Sequence, residues 1–398
     1  MKTARRVITV IFFIAFLIAG FVTVVILPKD ENSAKQENRN LASMPQFSWQ
    51  SFKSGEFTKD FETYLSDNVG YRSVFTSISS EYKSNKGINK FGKVVDTNGD
   101  LGTGSTTKSQ LLVTDDRVME IYHVDETARQ EYIDMVDFYA QKLPESINLY
   151  SMIIPTQVDF IPFYNTVGDN QKDSIDYFYG HFNKRVKNIN VYDTLNEHFT
   201  NNEYVYFRTD HHWTQLGAYY AYCKMGEDMG FPVQKIEEFQ KGEVKDFTGY
   251  LFSQAQAPYL EEHKDTIEYY KNAINDIEFK AVTFSYIPGQ EFDYKGKMFD
   301  LSKEKSYTMF LGGDQPYIEI DSESPNKRTL VMLKDSYSNA LIPWLTCSYN
   351  KIIVIDARTY DQTITKILNT TPVDDFLITN YIMGTNFRDY IKMCRDIY

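Results

Sequence analysis

Four strand-length apolar runs constrain this chain more than any other feature. They cover residues 149–154, 329–333, 351–355 and 374–378, and Pro155 closes the first. Runs this short, with no polar alternation, read as strands buried on both faces. Helical patterns lie near them. Residues 126–143 place Ile133, Val136, Ala140 and Leu143 on one face, residues 216–229 end at Gly230, and residues 337–346 fill the gap after the second run. Strand–helix–strand units of this length require parallel strands covered by helices. The body is therefore an α/β sandwich.

The N-terminus follows a different rule. Residues 7–27 are almost all apolar, preceded by Lys2, Arg5 and Arg6 and followed by Pro28-Lys29-Asp30. About 20 apolar residues suffice to cross a bilayer as a helix. The upstream basic residues keep the N-terminus cytoplasmic and place the body outside. A cleavable signal peptide is the competing reading, but its apolar region is usually shorter, about 7–15 residues. The expected organisation is a membrane anchor over 1–28, a polar stalk over 29–45 and one α/β domain over 46–398. An inserted loop and strand region falls near 231–326.

Net charge is −12 across 398 residues, which disfavours nucleic-acid partners, since these need a basic patch. Cys223, Cys347 and Cys394 are odd in number and far apart, so no disulfide framework or metal spacing is implied. Cys223 and Cys347 read as buried thiols. The 30 Tyr and 28 Phe suit a large core, and also a carbohydrate-facing cleft. No cofactor motif is present; the glycines of residues 92–117 mark turns between short strands and do not match a phosphate loop.

Phe57, Phe61, Tyr64 and Leu65 fall on one helical face, and Phe75, Ile78 and Tyr82 on another. Residues 176–187 read as a helix, 190–192 and 204–207 as short strands, and 261–272 as a helical stretch inside the insertion.

Two segments carry chemistry. Arg208-Thr209-Asp210-His211-His212-Trp213 places an acid two positions before a histidine at an expected strand-to-helix junction. Lys334-Asp335-Ser336-Tyr337-Ser338 places a serine just past a buried strand, where a helix begins. In open α/β sheets ligands bind beyond the carboxyl ends of the strands. Ser336 as nucleophile, His212 as base and Asp210 as its orienting acid are the parts of an acyl-transfer site. Unpaired N–H groups at the helix start can meet an oxyanion. The plainer reading makes Asp335 or Ser336 an N-cap and Asp210 a cap beside two half-buried histidines. A metal site from Asp210, His211 and His212 is a third reading, disfavoured because adjacent histidines rarely share an ion. Arg358, Asn339 and Asn380, near strand ends, are candidates for substrate binding or oxyanion donation; Thr156 and Gln157 are similar. A structural hydrogen bond is the competing role for each.

Asp210-His211-His212-Trp213 resembles the signature of the DHHW protein family, exported proteins of Gram-positive bacteria. Residues 37–41, 54–57, 64–67, Tyr71-Arg72, 246–251, 310–313, 334–339 and 356–358 resemble its other blocks. That family is similar in turn to the alginate O-acetylation proteins. The resemblance implies an SGNH-hydrolase-like three-layer α/β/α sandwich with a mostly parallel sheet. It also implies the order acid, base, nucleophile through Asp210, His212 and Ser336. No Gly-Asp-Ser-type block precedes Ser336; Lys334 and Asp335 stand there.

The expected function is an extracellular serine-dependent acyl transferase or esterase, the acyl group being acetyl by resemblance. Its expected substrate is a cell-envelope polysaccharide, and its expected partner a membrane-bound O-acyltransferase. The alternative is a non-catalytic glycan-binding or scaffold component of a polysaccharide modification or export complex.

Overall fold

A computed structural model describes residues 11–16, 42–67, 92–96, 110–162, 164–255, 257–284, 291–303 and 305–398. Most of the expected stalk, the second aromatic face at Phe75–Tyr82 and most of the apolar run over 7–27 lie outside them. Among the described residues no helix is long and apolar enough to cross a membrane. The chain divides into two compact units, Met1–Lys90 with Phe252–Tyr259, and Phe91–Leu251 with Leu260–Tyr398.

The first unit holds α1 (Trp49–Ser54) and α2 (Glu56–Asp67). The Ser48 side chain caps α1 by accepting from the Ser51 N–H, and Gly55 ends it in the left-handed region at φ 83°. On α2 the expected face of Phe57, Phe61, Tyr64 and Leu65 is half-buried.

The second unit opens with an antiparallel sheet of β1 (Lys93–Asp96), β2 (Gln110–Val113) and β3 (Val118–Glu120). Next come α3 (Glu126–Lys142), β4 (Asn148–Ile154), α4 (Gln171–His181), β5 (Val186–Asn188), α5 (Tyr192–Thr200) and α6 (Gln215–Met229). Two strands, β6 (Gln240–Phe247) and β7 (Asp265–Lys271), pair with each other, with α7 (Tyr250–Ala255) between them in sequence. The remainder comprises β8 (Glu278–Phe284), β9 (Glu291–Lys297), β10 (Tyr317–Asp321), β11 (Thr329–Lys334), α8 (Ile342–Leu345), β12 (Lys351–Ile355), α9 (Ile364–Thr370), β13 (Asp375–Tyr381) and α10 (Arg388–Asp396).

Eight strands form the main sheet in the order β5-β4-β13-β11-β12-β10-β8-β9. The first five are parallel and the last three antiparallel. The sheet is therefore mixed, where a mostly parallel one was expected. The cause is burial. β4, β11, β12 and β13 are covered throughout, as parallel strands require. In β10, Ile318 and Ile320 are buried while Tyr317 and Glu319 are half-buried, a pattern that an antiparallel strand with one wet face tolerates. Part of residues 231–326 thus joins the main sheet through β8, β9 and β10. The expected helical stretch at 261–272 is instead a 3-10 turn, Pro258–His263, followed by β7.

Helix ends follow local chemistry. The Asp125 carboxylate caps α3 by accepting from the Thr127 and Ala128 N–H groups. Thr214 caps α6, and Gly230 stops it at φ 74°. Tyr139 of α3 stacks on Phe376 of β13 at 5.3 Å between centroids, so α3 covers one sheet face. The carboxyl ends of β4, β11, β12 and β13 share one edge, and the candidate residues gather there.

Candidate active site

The Asp210–His212 segment is a closed loop. Tyr206 and Trp213 form an antiparallel bridge, the Phe207 N–H donates to the His212 carbonyl at 3.3 Å, and the Thr214 N–H to the Val205 carbonyl at 3.0 Å. Only after this loop does α6 begin, so the expected simple strand-to-helix junction is a tight turn. Asp265, the first residue of β7 and fully buried, pins its entrance. Its carboxylate accepts from the Arg208 and Thr209 N–H groups, both at 2.8 Å, and from the Tyr204 hydroxyl.

Within the loop the Asp210 Oδ1 accepts from the His212 ring at Nδ1, 2.6 Å away, and from the His212 N–H at 3.0 Å. Its Oδ2 accepts from the Tyr250 N–H at 3.0 Å. The acid and the imidazole are 4% and 5% exposed. Burial alone would raise the Asp210 carboxyl; the His212 and His211 imidazoles outweigh it and hold the group well below the usual carboxylate range. Gly249 lies flat against this acid. A Cβ there would sit 2.2 Å from the Asp210 Cβ, so only glycine allows the approach.

The other imidazole nitrogen, His212 Nε2, lies 2.8 Å from the Ser336 Oγ. Ser336 follows β11 and opens a 3-10 turn, Ser336–Ala340. From residue 330 to 349 every residue is buried except Ser336. Asp335 is the N-cap: its carboxylate accepts from the Tyr337 N–H at 3.0 Å and, across the sheet edge, from the Tyr381 N–H at 2.8 Å. The cap and the serine thus coexist on adjacent residues.

Two cross-bonds lock the loop to this turn. The Trp213 indole donates to the Tyr337 carbonyl at 2.7 Å, and the Tyr337 hydroxyl donates to the His211 carbonyl. Tyr307 reinforces both sides. Its ring stacks on His212 at 3.7 Å and 9°, while its hydroxyl donates to the Tyr337 carbonyl at 2.9 Å. Nothing in the sequence around Tyr307 marked it; the signal was only a tyrosine in an aromatic-rich stretch.

Arg358, Asn339 and Asn380 stand near the turn but serve carboxylates, the buried Asp335 and Asp356 and the more exposed Asp314. Lys334, fully buried, donates to Asp314 and Asn339, each at 2.9 Å, and lies 3.5 Å from Asp356. Arg358 donates to Asp356 and Asp314. The Asn339 amide donates to Asp314 at 2.9 Å. Burial would raise the Asp314 carboxyl, but Lys334 and Arg358 hold it well below its ordinary value. The Asn380 amide donates to the Tyr390 hydroxyl and, at 3.5 Å, to Asp335. Thr156 exchanges hydrogen bonds with Gln171, and Gln157 donates to the Phe207 carbonyl at 2.6 Å. Of the expected site residues, the structure brings Asp210, His212 and Ser336 into one relay and commits the polar groups of the others to the scaffold. Of the two thiols expected to be buried, Cys347 is buried and Cys223 only half-buried.

His211 packs on His212 at 3.9 Å between ring centroids. Its Nδ1 lies 4.0 Å from Asp210, too far for a hydrogen bond. Ligand atoms of Asp210, His211 and His212 lie within 4.8 Å of one another. A metal drawing on Asp210 Oδ1 and His212 Nδ1 would have to break the bond that orients the base.

Glu120, on β3, is 3% exposed and its Oε2 has no hydrogen-bond partner. Burial pushes its carboxyl up to about 7, against the pull of His211; burial likewise pushes Asp335 up to about 6. Both groups hold protons more tightly folded than unfolded. Their stabilising effect is complete below about pH 4 and is lost as pH rises through 6 and 7. For Glu120 a rise from 4.5 to about 7 corresponds to about 3 kcal/mol. Glu120→Gln is therefore expected to flatten the fall in Tm between pH 5 and 8 and to be the more stable form at pH 8. Calorimetry across that range reads it, and an unchanged slope would refute the assignment.

The DHHW protein family matches residues 87–355, a span that contains all three relay residues. This chain belongs to the DHHW family. Among solved structures, a DHHW family protein from Eubacterium siraeum is 24% identical with a TM-score of 0.60, covering 75% of this chain and 97% of that one. Bacillus cereus PatB1 is 18% identical with a TM-score of 0.56, covering 70% and 97%. PatB1 with a sulfonyl adduct gives a TM-score of 0.57, covering 71% and 99%. At these identities the likeness is one of fold, an α/β domain around a large mixed sheet. The O-acetyltransferase domain of Pseudomonas putida AlgJ matches at a TM-score of 0.39 and 11% identity. No curated protein sequence matches this chain.

Proposed function

We propose that this DHHW protein is a serine-dependent acyl transferase of the SGNH type. It moves an acetyl group onto a hydroxyl of a cell-envelope polysaccharide outside the membrane, tethered by residues 7–27 beside a membrane-bound acyltransferase that supplies the group. The observation that carries the chemistry is His212, bonded to Asp210 at 2.6 Å and within 2.8 Å of the one accessible residue on the β11 turn. Those distances meet the reach a general base needs.

Ser336 Oγ attacks the acyl carbon of the donor, and its proton passes to His212 Nε2. The same proton then goes to the departing oxygen of the donor, leaving an acyl-serine. A sugar hydroxyl next gives its proton to His212 and attacks the acyl carbon, and His212 returns the proton to Ser336. Water in place of the sugar gives an esterase. Asp210 keeps the ring in the tautomer with hydrogen on Nδ1 and stabilises the imidazolium. The Tyr337 N–H is taken by Asp335, so we assign oxyanion donation on this turn to the Ser336 N–H. Arg358, Asn339 and Asn380 act in this reading by fixing the turn.

A sulfonyl fluoride tests it, since PatB1 is known with a sulfonyl adduct. The serine oxygen bonds to sulfur, fluoride leaves, and His212 takes the proton. Intact mass should show one adduct on the parent protein and none on Ser336→Ala. The variant should turn over an activated acetyl ester at least about 10³-fold more slowly. Equal labelling of both proteins would sink the catalytic reading. Retained glycan binding would then favour the scaffold alternative.

A further inference from the structure

Among the described residues the large apolar side chains are mostly hidden, with one grouped exception. Among the described residues, those at least half exposed are Ile11, Phe12, Phe13, Ile14, Phe16, Met44, Phe47, Trp49 and Phe52. All precede residue 53. Beyond that point exposure of large apolar groups falls to between 36% and 42%, at isolated positions such as Tyr177 and Tyr294, which is ordinary for a surface.

The second half of that group is a cluster. Phe47 meets Trp49 at 5.4 Å, Phe52 at 5.9 Å and Phe57 at 5.2 Å, and Trp49 meets Phe52 at 6.2 Å. The rings touch one another and still leave Trp49 70% exposed. Tryptophan and phenylalanine grouped this way, close in sequence to an apolar span, match the composition of the membrane–water boundary.

Tether length agrees. Residues 28–43 separate the apolar run from Met44. Sixteen residues can span at most about 55 Å, so the cluster is held by the chain within that distance of the surface where the run ends. Charge sets the lipid type. Residues 42–67 carry Lys53 and Lys59 against Glu56, Asp60, Glu62 and Asp67, so attraction to anionic headgroups does not drive the contact.

We propose that Met44, Phe47, Trp49 and Phe52 are a second membrane contact, a foot that lies in the headgroup region of the bilayer crossed by residues 7–27. This rests on the membrane-anchor reading above. The foot takes lipid of any headgroup charge, zwitterionic phosphatidylcholine included.

The three tryptophans make it testable. Trp213 and Trp344 are fully buried, so Trp49 is the one able to meet a lipid or an aqueous quencher. The full chain is reconstituted in phosphatidylcholine vesicles and floated on a density gradient, then its fluorescence is read with phosphatidylcholine brominated near the headgroup end of the acyl chains. The expected result is flotation, a blue shift, quenching of at least half of the Trp49 share of emission, and at least a twofold loss of acrylamide quenching against detergent-free water-exposed tryptophan. Trp49→Phe should abolish the bromine effect and leave flotation intact. Flotation without bromine quenching overturns the foot while sparing the anchor, and assigns the cluster to water or a protein partner. Failure to float overturns the anchor and the foot with it.

Discussion

Asp210→Asn should lower turnover of an activated acetyl ester by about 10⁴-fold with little change in KM. The loss follows from counting donors. Three hydrogens point at this carboxylate: the His212 Nδ1–H, the His212 N–H and the Tyr250 N–H. An amide offers one oxygen. If its NH₂ faces His212, the ring must present a bare Nδ1, which moves the hydrogen to Nε2 and points a donor at Ser336. The serine then has no base. If the NH₂ faces Tyr250 instead, two donors meet in a buried space at a cost of about 1–3 kcal/mol. Either orientation leaves the Ser336 hydroxyl intact, so the variant should still bind substrate. A steady-state comparison of kcat and KM, alongside Tm, separates the two effects. Full activity in a folded Asp210→Asn protein would mean that the relay does not need the negative charge of Asp210.

The largest stability effect should come from Lys334→Met. Lys334 is fully buried and so is Asp356, with Asp314 bridging from the other side. Removing one member of a buried ion cluster while the rest remains costs about 3–5 kcal/mol, because the remaining charges lose their compensation. Tm should fall by roughly 10 °C. The deficit should shrink only as pH falls below the ordinary aspartate range, where the charge on Asp314 that Lys334 helps to hold is lost. Asn339, one partner of Lys334, lies on the Ser336 turn, so the variant should also lose activity ahead of unfolding. A Tm within 2 °C of the parent would show that Arg358 alone satisfies both acids.

Much of this architecture was legible. The apolar runs fell on β4, β11, β12 and β13 because strands buried on both faces leave no alternation to misread. Glycine after an apolar helix placed the end of α6 at Gly230. The relay residues were legible too: an acid two positions before a histidine and a serine past a buried strand are local patterns. What escaped was set by distant contacts. Arg358, Asn339 and Asn380 stand at strand ends, as a ligand-binding residue would, yet Asp314, Asp335, Asp356 and Tyr390 claim their polar groups. No local rule reveals where a donor points. Tyr307 and Asp265 reach the site from the 231–326 region, whose alternating strands carry weaker signals than buried ones. Glu120 carries no local mark in the sequence; its burial is set by distant packing.

The indole of Trp213 gives its single N–H to the Tyr337 carbonyl, one residue past the serine. The fourth letter of the family signature is thus a joint, fully enclosed and out of reach of any sugar. It couples two chain segments 124 residues apart in sequence. A refolding chain must therefore close most of its topology before base and nucleophile meet, so recovered turnover is a late reporter of native structure. A homologue that keeps the aspartate and histidine but loses the tryptophan would keep the reagents and lose the vice that holds them in register.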